Sequence, residues 1–552
     1  MTGNAFLEMD ISKSIIKSLE HDYNGMVSSP FKAFTYLDAA DSQLDEFAKW
    51  SLNGRMDVIE LIEENERIIL TDGSASAPVM KAEVGEIPSS LIGTAASIPH
   101  LVGKQENVLL IGSGGGKDIW MSKIGNAKSI HAVDVNPLTI AIANEMKDYA
   151  GDVYNSEQVK THITDGRKYV EETDERFSHI YLSMVMTNSV SNAMASLSEN
   201  YLITEESFQR YYDVLEDDGR LSLMLHNGIE MFRAMNTWIR VLLNNGVKLS
   251  EVSNYLTIIN GVSENHNTIM MPVVIFYKSP IPKEQEERIL SLANLFKLPI
   301  IHSPSIKFEL LDEAKTKLVS IEDLYQYQEF DMSPPTDDRP YFYGYNLKSQ
   351  FILKVILATI LLLVFVVNRV KVNQLSRSTS FLAILTGVGF IVFEIMMIQY
   401  ASRKIGSIYG FSLVVSALLF TSGLGSYIES KKEDSLNVFL LGSVVLQIVA
   451  FQSIRLLDSV LANSSVVALL IFISIVPIGI CLGMIFPRIV KLTNGETPPT
   501  LLFFNSALGT ILGSILAVLV STQFGTSKLL FISLIIYSIA AIMIMKKGAV
   551  AK

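Results

Sequence analysis

The chain has 552 residues, of which 49% are hydrophobic and 18% charged, and its net charge at neutral pH is −11. This length favours more than one domain, and the acidic balance argues against a nucleic-acid-binding surface, which needs a basic patch to replace phosphate counterions. The single cysteine, Cys481, excludes an intrachain disulfide, so nothing indicates an oxidising compartment. No basic segment followed by an apolar run opens the chain, so no cleavable signal peptide is predicted.

Residues 1–100 are predicted to form an N-terminal segment of helix and strand, in which Val58–Gly73 has the pattern of two strands and two turns. From residue 106 onward, short apolar runs alternate with longer amphipathic ones. The predicted strands are 107–112, 129–136, 159–165, 177–185 and 220–226, and the predicted helices include 137–150 and 205–219. This alternation indicates a parallel sheet covered on both faces, so residues 101–280 are predicted to be a Rossmann-like α/β domain.

A nucleoside site is predicted at the ends of three successive strands. The run LLIGSGGGKDIW, Leu109–Trp120, places four glycines between a strand and a helix, where the backbone can approach a ligand closely; a tight turn is the alternative. Asp134 follows Gly112 by 22 residues (134 − 112), a spacing at which a carboxylate can accept both ribose hydroxyls. The residues predicted to bind the nucleoside are Gly112, Gly114, Gly115, Gly116, Asp118, Asp134, Asn136, Asp165 and Gly166.

The competing ligand is NAD. Recognition of its pyrophosphate favours the spacing G-x-G-x-x-G, and the stretch Gly112–Lys117 does not place its third glycine that way. An acid at the end of the third strand, Asp165, is typical of methyltransferase-type sheets, where it holds the adenine amine. The sequence therefore favours S-adenosylmethionine, and no metal site is predicted.

Residues 281–346 are predicted to be a helical appendage and connector, with helices at 282–297 and 320–330. The connector contains PPTDDRP, Pro334–Pro340, whose prolines favour an extended, rigid segment. Asp337, Asp338 and Arg339 are predicted to cap the sheet, to contact the membrane-facing side, or to form a local salt bridge.

Residues 347–552 are predicted to be a transmembrane helical bundle of about seven spans. The apolar segments are 351–368, 380–400, 411–428, 436–454, 464–486, 500–522 and 528–545. Glu394 lies inside a span, where an ionisable residue indicates function by default, and a pair with Arg403 is one prediction for it. The small residues in Gly423–Ser426 and Ser506–Ser514 favour close helix packing.

Several segments resemble the membrane-bound spermidine-synthase-like proteins of the S-adenosylmethionine-dependent methyltransferase superfamily. They are NVLLIGSGGGKD, AVDVNP, ITDGRKYV, SENYLITEESFQRYYDVLEDDG, PPTDDRPYF and the membrane runs IVFEIMMIQYASRKIGSIYGFSLVVSALLFTSGLGS and LGMIFPRIV. The resemblance implies a spermidine-synthase-type sheet with a site for S-adenosylmethionine or decarboxylated S-adenosylmethionine. In the family's aminopropyltransferases, the glycine loop carries an Asp where this chain has Gly115. Two acids after the fourth strand deprotonate the attacking amine, and Ser183 and Met186 stand at their places here.

We therefore expect an S-adenosylmethionine-dependent transferase, with methyl transfer to an unknown acceptor as the main prediction. The alternatives are a polyamine aminopropyltransferase and a nucleoside-sensing transporter or membrane regulator without turnover. The catalytic residues are not identified, and the candidates beyond the sheet edge are Tyr201, Glu205 and His226, besides Glu199. Each has a structural alternative. Tyr201 could be a core or lid aromatic, and His226 a structural histidine. Glu199 and Glu205 could be acids at the start of a helix capped by Thr204.

The protein is expected in the inner or plasma membrane, with its first part facing the cytoplasm, where S-adenosylmethionine is made. Seven spans would then place Arg369, Lys371, Arg377 and the C-terminal lysines outside, against the positive-inside tendency, so six to eight spans are considered. The expected partners are the lipid bilayer and a small-molecule or lipid-soluble acceptor, with no nucleic acid, and a homodimer is left open.

Overall fold

The computed structural model describes residues 42–43, 45–51, 54–61, 66–71, 75–83, 88–185, 199–261, 269–306, 326–327, 330–344, 351, 354–361, 377–431, 464–493 and 498–550. The chain folds into two compact units. The first comprises residues 1–336 with 340–346, and the second comprises residues 337–339 with 347–552. The division of the first part at residues 100 and 280 stays a prediction.

Five short strands in the first unit form an antiparallel sheet. They are Ser42–Gln43 (β1), Lys49–Ser51 (β2), Gly54–Leu61 (β3), Glu66–Thr71 (β4) and Ala75–Met80 (β5). β3 pairs with β1, β2 and β4, and β5 pairs with β4. The two strands predicted within Val58–Gly73 are therefore confirmed, whereas residues 1–41 lie outside the described part of the chain.

An eight-stranded sheet forms the centre of the first unit. Its strands are Asn107–Ile111 (β6), Ser129–Asp134 (β7), Val159–Ile163 (β8), Phe177–Ser183 (β9), Leu215–Met224 (β10), Leu256–Ile259 (β11), Val273–Tyr277 (β12) and Ile300–His302 (β13). Their order is β13-β11-β12-β10-β9-β6-β7-β8. The strands from β6 to β10 pair in parallel, as predicted.

Three strands that the sequence analysis did not predict make the sheet mixed at one edge, because β12 pairs antiparallel with both β10 and β11, and β13 pairs antiparallel with β11. β12 returns directly from β11, with no crossover helix among the residues described between them, and such a return gives antiparallel pairing. The α/β fold class is confirmed with a mixed sheet.

Helices cover both faces of this sheet. They are Lys117–Ile124 (α1), Pro137–Glu145 (α2), Lys147–Ala150 (α3), Gly166–Glu172 (α4), Glu205–Val214 (α5), Gly228–Asn244 (α6) and Lys283–Leu295 (α7). Along β6, Val108 and Leu110 pack with α1 and α2, whereas Leu109 and Ile111 pack with α5 and α6. The alternation of side chains along a strand thus gives the sheet two hydrophobic cores.

Three predicted helices differ from the structure. The helix predicted at 137–150 is interrupted at Met146, and the helix predicted at 205–219 ends at Val214. Leu215 instead pairs with Phe177, so strand pairing overrides the local helical pattern at the start of β10. Within the helix predicted at 320–330, residues 326–327 form a strand (β14) that pairs with residues 330–331 (β15).

The described part of the second unit contains five helices long and apolar enough to cross a membrane. They are Arg377–Ile405 (α8), Ser407–Lys431 (α9), Ser464–Lys491 (α10), Pro499–Phe524 (α11) and Ser527–Val550 (α12). Five of the seven predicted segments are thereby confirmed as candidate spans. The segment 351–368 is described only in part, helical at 354–361, and the segment 436–454 lies outside the described residues.

Small residues allow the membrane helices to pack closely, as predicted. A Cβ at Gly425 would overlap the carbonyl oxygen of Ile480, and one at Gly483 would overlap the carbonyl oxygen of Ser422. The same holds for Gly509, whose Cβ would meet the backbone of α8. These glycines therefore let helix backbones approach each other without intervening side chains.

Asp337 and Asp338, which were predicted to cap the sheet, to contact the membrane-facing side or to form a local salt bridge, contact residues of the apolar helices. Asp338 caps α12: its Oδ1 accepts the N–H of Ser527 at 2.7 Å and its Oδ2 accepts the Ser527 hydroxyl at 2.9 Å. Nη1 of Arg403 lies 3.9 Å from Oδ2 of Asp337. The predicted Glu394–Arg403 pair is wrong, because nine residues of helix separate the two side chains by about 13 Å along the axis.

Candidate functional site

The glycine loop after β6 has a left-handed backbone at three positions, a conformation that glycine adopts readily. Gly112, Gly114 and Gly116 have φ angles of +80°, +52° and +91°. The N–H of Gly112 donates to the carbonyl of Val133 at 2.8 Å, which fixes the loop to the end of β7. Gly116 is the N-cap of α1, so the loop leads directly into a helix N-terminus. At its glycines, the loop backbone can approach a ligand closely.

Gly115 is enclosed by the N-terminal sheet. A Cβ on Gly115 would overlap the backbone carbonyl of Pro78 and would lie 2.8 Å from Cγ2 of Val79. β5 therefore lies directly against the loop, a contact that the sequence pattern did not reveal. It gives a packing reason for glycine at this position, where the family's aminopropyltransferases carry an Asp.

Asp134 ends β7 with a buried carboxylate that binds the glycine loop. Its Oδ2 accepts the N–H of Gly114 at 2.9 Å, and its Oδ1 accepts the N–H of Asn136 at 2.8 Å. Burial raises the pKa of Asp134, and these two backbone hydrogen bonds act in the opposite direction. Each carboxylate oxygen keeps acceptor capacity for a further donor. Asn136 itself caps α2 by accepting the N–H of Leu138.

Tyr154 is a residue of the loop's surroundings that sequence reasoning missed. Its hydroxyl donates to the carbonyl of Gly114 at 2.6 Å and lies 3.1 Å from the hydroxyl of Ser113. Burial raises the pKa of Tyr154, so the phenol stays a neutral donor at physiological pH. No sequence signal identified it, because it comes from a separate 3-10 helix, Val153–Asn155.

Asp118, predicted to bind the nucleoside, lies in the first turn of α1 with only 8% of its surface exposed. Its carboxylate makes no hydrogen bond with any described residue. Burial raises its pKa to about 7. Its charge acts on the buried phenols of Tyr154 and Tyr181. Its role in binding stays a prediction.

Asp165 and Gly166 lie between β8 and α4. Asp165 caps α4, with its Oδ1 accepting the N–H of Lys168 at 3.1 Å, and burial raises its pKa. A Cβ on Gly166 would overlap Cγ2 of Ile111, so glycine here lets α4 begin against the end of β6. The strand order places Asp165 beside Asp134, on the side away from the glycine loop.

The ends of β6, β9 and β10 lie side by side. Ile111 pairs with Leu182, and Ser183 pairs with Met224, so one row runs from the glycine loop to the residues after β10. Val185, two residues after β9, lies against the glycine loop: a Cβ on Gly112 would lie 3.0 Å from Cγ1 of Val185. Ser183, with its hydroxyl, is the last residue of β9, whereas Met186 lies outside the described residues.

Two of the predicted base candidates have structural partners. The Tyr201 hydroxyl lies 3.1 Å from Oε2 of Glu199. Glu205 begins α5 after the N-cap Thr204, and its Oε1 accepts the side-chain amide of Asn244 of α6 at 2.8 Å. The helix-start alternative for Glu205 is thus observed.

The third candidate, His226, lies just after β10. Its Nδ1 is 3.0 Å from Oε2 of Glu230, and the same oxygen accepts the His226 backbone N–H. Glu230 was not singled out from the sequence, although its spacing of four residues from His226 at a helix start was a usable signal.

The domain that carries these residues is similar to known proteins. Residues 90–271 match the family model described as the spermine/spermidine synthase domain. This stretch contains the glycine loop, Asp134, Asp165 and His226. The resemblance found in the sequence is confirmed: the chain contains a spermidine-synthase-type domain, followed by apolar helices that could span a membrane.

A curated relative is a polyamine aminopropyltransferase of Prochlorococcus marinus (strain AS9601), 26% identical over 152 residues, which are 27% of this chain and 51% of the relative. The chain thus spans about half of that relative's length. A solved structure of a spermidine synthase of Thermotoga maritima is 20% identical, with a TM-score of 0.31; the match covers 43% of this chain and 73% of that protein's chain. A probable spermidine synthase of Corynebacterium glutamicum ATCC 13032 is 10% identical, with a TM-score of 0.34; the match covers 45% of this chain and 85% of that protein's chain.

Proposed function

We propose that the first unit transfers an aminopropyl group from decarboxylated S-adenosylmethionine to an amine. The observation that carries this proposal is the arrangement of the glycine loop, Asp134 and Asp165 on neighbouring strand ends, within a domain that matches the spermine/spermidine synthase model. These comparisons favour aminopropyl transfer over methyl transfer, which the sequence analysis put first.

The residues at the strand ends suit the nucleoside part of such a donor. Asp134 has acceptor capacity for ribose hydroxyls, and its backbone hydrogen bonds hold the carboxylate in place. Asp165, on the adjacent strand end, is suited to accept from the adenine amine. When bound, the donor supplies an electrophilic carbon next to a sulfonium. The protein's part is to orient the acceptor and to exclude water.

Methyl transfer from S-adenosylmethionine is the second candidate, and Ser183 is the observation that favours it. A polyamine needs carboxylates close to the reacting amine, and β9 ends in this hydroxyl rather than in an acid. A methyl acceptor that is not a polycation would not need that acid. The two candidates differ in the donor, so donor preference separates them.

We also propose that the first unit faces the cytoplasm and that the acceptor reaches it through the membrane or is lipid-soluble. The five apolar helices among the described residues, which exceed what a simple anchor needs, support the second part of this proposal. The cytoplasmic orientation rests on the place where S-adenosylmethionine is made.

The test uses the full-length protein in detergent, with decarboxylated S-adenosylmethionine or S-adenosylmethionine as donor and a set of monoamines and diamines as acceptors. Mass spectrometry distinguishes an aminopropylated product from a methylated one. We expect the aminopropylated product. Asp134→Asn should weaken donor binding about 10- to 100-fold in isothermal titration, because one acceptor oxygen is replaced by a donor. The matched control is Asp148→Asn, an exposed acid on α3.

A methylated product would support the second candidate. Binding of either donor without any product would indicate a sensor or regulator. If neither donor binds, or if Asp148→Asn weakens binding as much as Asp134→Asn, the proposed site is wrong.

A further inference from the structure

His226 and Glu230 form a hydrogen-bonded pair at the end of β10. Oε2 of Glu230 lies 3.0 Å from Nδ1 of His226 and also accepts the His226 backbone N–H at 3.0 Å. Oε1 of Glu230 accepts the side-chain amide of Asn227 at 3.0 Å. The Glu230 side chain is completely buried, whereas that of His226 is 13% exposed. A buried carboxylate with three donors is held in one orientation, and it holds the imidazole in turn.

The pair also fixes which imidazole nitrogen carries the proton. A carboxylate only accepts hydrogen bonds, so Nδ1 of His226 must be the donor. In the neutral imidazole, Nε2 is then the unprotonated nitrogen. No hydrogen-bond partner for Nε2 is found among the described residues. Among the described residues, Nε2 of His226 is thus available as a base, and the buried carboxylate behind the ring stabilises the charge that the ring gains on taking up a proton.

His226 lies on the side of the glycine loop away from Asp134 and Asp165, which is the side left for an acceptor. β10 lies next to β9, and β9 lies next to β6, which leads into the glycine loop. Neighbouring strands are about 4.8 Å apart, so the ends of β6 and β10 lie about 10 Å from each other. The end of β9, with Ser183 and Val185, lies between them. The aromatic ring of Tyr343 lies beside His226, with ring centroids 6.5 Å apart.

Capping alone does not explain the arrangement. Asn227 is the N-cap of α6, and its Oδ1 accepts the N–H groups of Ile229 and Glu230. An acid at the third helical position commonly accepts a backbone N–H near the cap, and Glu230 does so through the N–H of His226. The additional contact to Nδ1 is not required for a cap. This contact links the buried Glu230 carboxylate to the His226 side chain, which follows the carboxyl end of β10.

We propose that His226 is the general base that deprotonates the acceptor amine and that Glu230 is its positioning residue. This inference rests on the proposed function. It assigns to β10 the task that acids after β9 perform in the family's aminopropyltransferases, where this chain has Ser183. An amine must lose a proton to attack, and that proton moves to Nε2 of His226. The nitrogen lone pair forms the new C–N bond, the C–S bond breaks, and its electron pair stays on sulfur, which becomes a neutral thioether.

The test compares His226→Ala and Glu230→Gln with the wild type in the full-length, detergent-solubilised protein. We expect His226→Ala to lower kcat about 10²- to 10⁴-fold, the usual contribution of a general base. Donor affinity, measured by isothermal titration, should stay within about twofold, which also shows that the variant is folded. Added imidazole should restore part of the activity in a saturable manner. Glu230→Gln should lower kcat less, with the KM of the donor unchanged.

His162→Gln is the matched control, because this histidine lies on the edge strand β8, outside the acceptor side. It should keep wild-type kcat and should not respond to imidazole. If the wild type turns over and His226→Ala has the same kcat, the base assignment is wrong, whereas the proposed function stands. A lowered kcat that imidazole does not restore, or that comes with an equal loss of donor binding, would show a merely structural role. If the wild type forms no product with any amine, the proposed function fails and the base assignment fails with it.

Discussion

The stability of the folded protein should depend on pH through the buried carboxyl of Asp118. Burial raises its pKa from 3.8 to about 7 in the folded protein. A carboxyl whose pKa is raised on folding favours the folded state only while it is protonated. Its ionisation therefore costs stability as the pH rises from about 4 to about 7, and the loss is complete above that range. At 1.36 kcal/mol per pKa unit, the full loss is about 4 kcal/mol.

The perturbation is Asp118→Asn, which keeps the size of the side chain and cannot ionise. We expect the variant to be more stable than the wild type at pH 8, by up to about 4 kcal/mol, and to lose this advantage near pH 4. The assay is the melting temperature of the full-length protein in detergent, measured for both proteins at intervals between pH 4 and pH 8. The difference between the two melting temperatures should grow with pH.

The control for this experiment is Asp174→Asn, because Asp174 is exposed. Its melting temperature should follow that of the wild type at every pH. A constant difference between Asp118→Asn and the wild type across the whole range would refute the reasoning. Such a result would mean that the Asp118 carboxyl ionises in the folded protein as easily as in the unfolded chain.

Two further substitutions test the packing of the loop and the capping of a membrane helix. Gly115→Ala should abolish measurable donor binding and lower the melting temperature, because its Cβ would overlap the Pro78 carbonyl. Gly423→Ala is the control, because no described atom outside its own helix lies within 4 Å of its Cβ position. Unchanged donor binding in Gly115→Ala would contradict the expected overlap. Asp338→Ala should cost about 1–2 kcal/mol, because Ser527 at the start of α12 loses its cap. A melting temperature equal to the wild type's would show that the cap contributes nothing.

The sequence alone predicted the parallel strands and the glycine loop that follows the first of them. Both depend on local features: the alternation of apolar and polar residues, the glycines that permit left-handed backbone, and an acid at a fixed distance along the chain. Gly112, Gly114 and Gly116 do adopt positive φ angles, and Asp134 does bind the glycine loop. The apolar helices were predictable for the same reason, because the length of an apolar run is a local property.

Long-range contacts decided what the sequence did not determine. The overlap of a Cβ on Gly115 with Pro78 depends on a strand 37 residues away (115 − 78). Leu215 joins β10 rather than α5 because it finds Phe177 as a partner. Asp338 caps a helix that begins 189 residues later (527 − 338). Burial of Asp118 and of Glu230 is likewise a property of the packed chain, and packing, rather than residue type, sets the pKa of the first and fixes the second against His226.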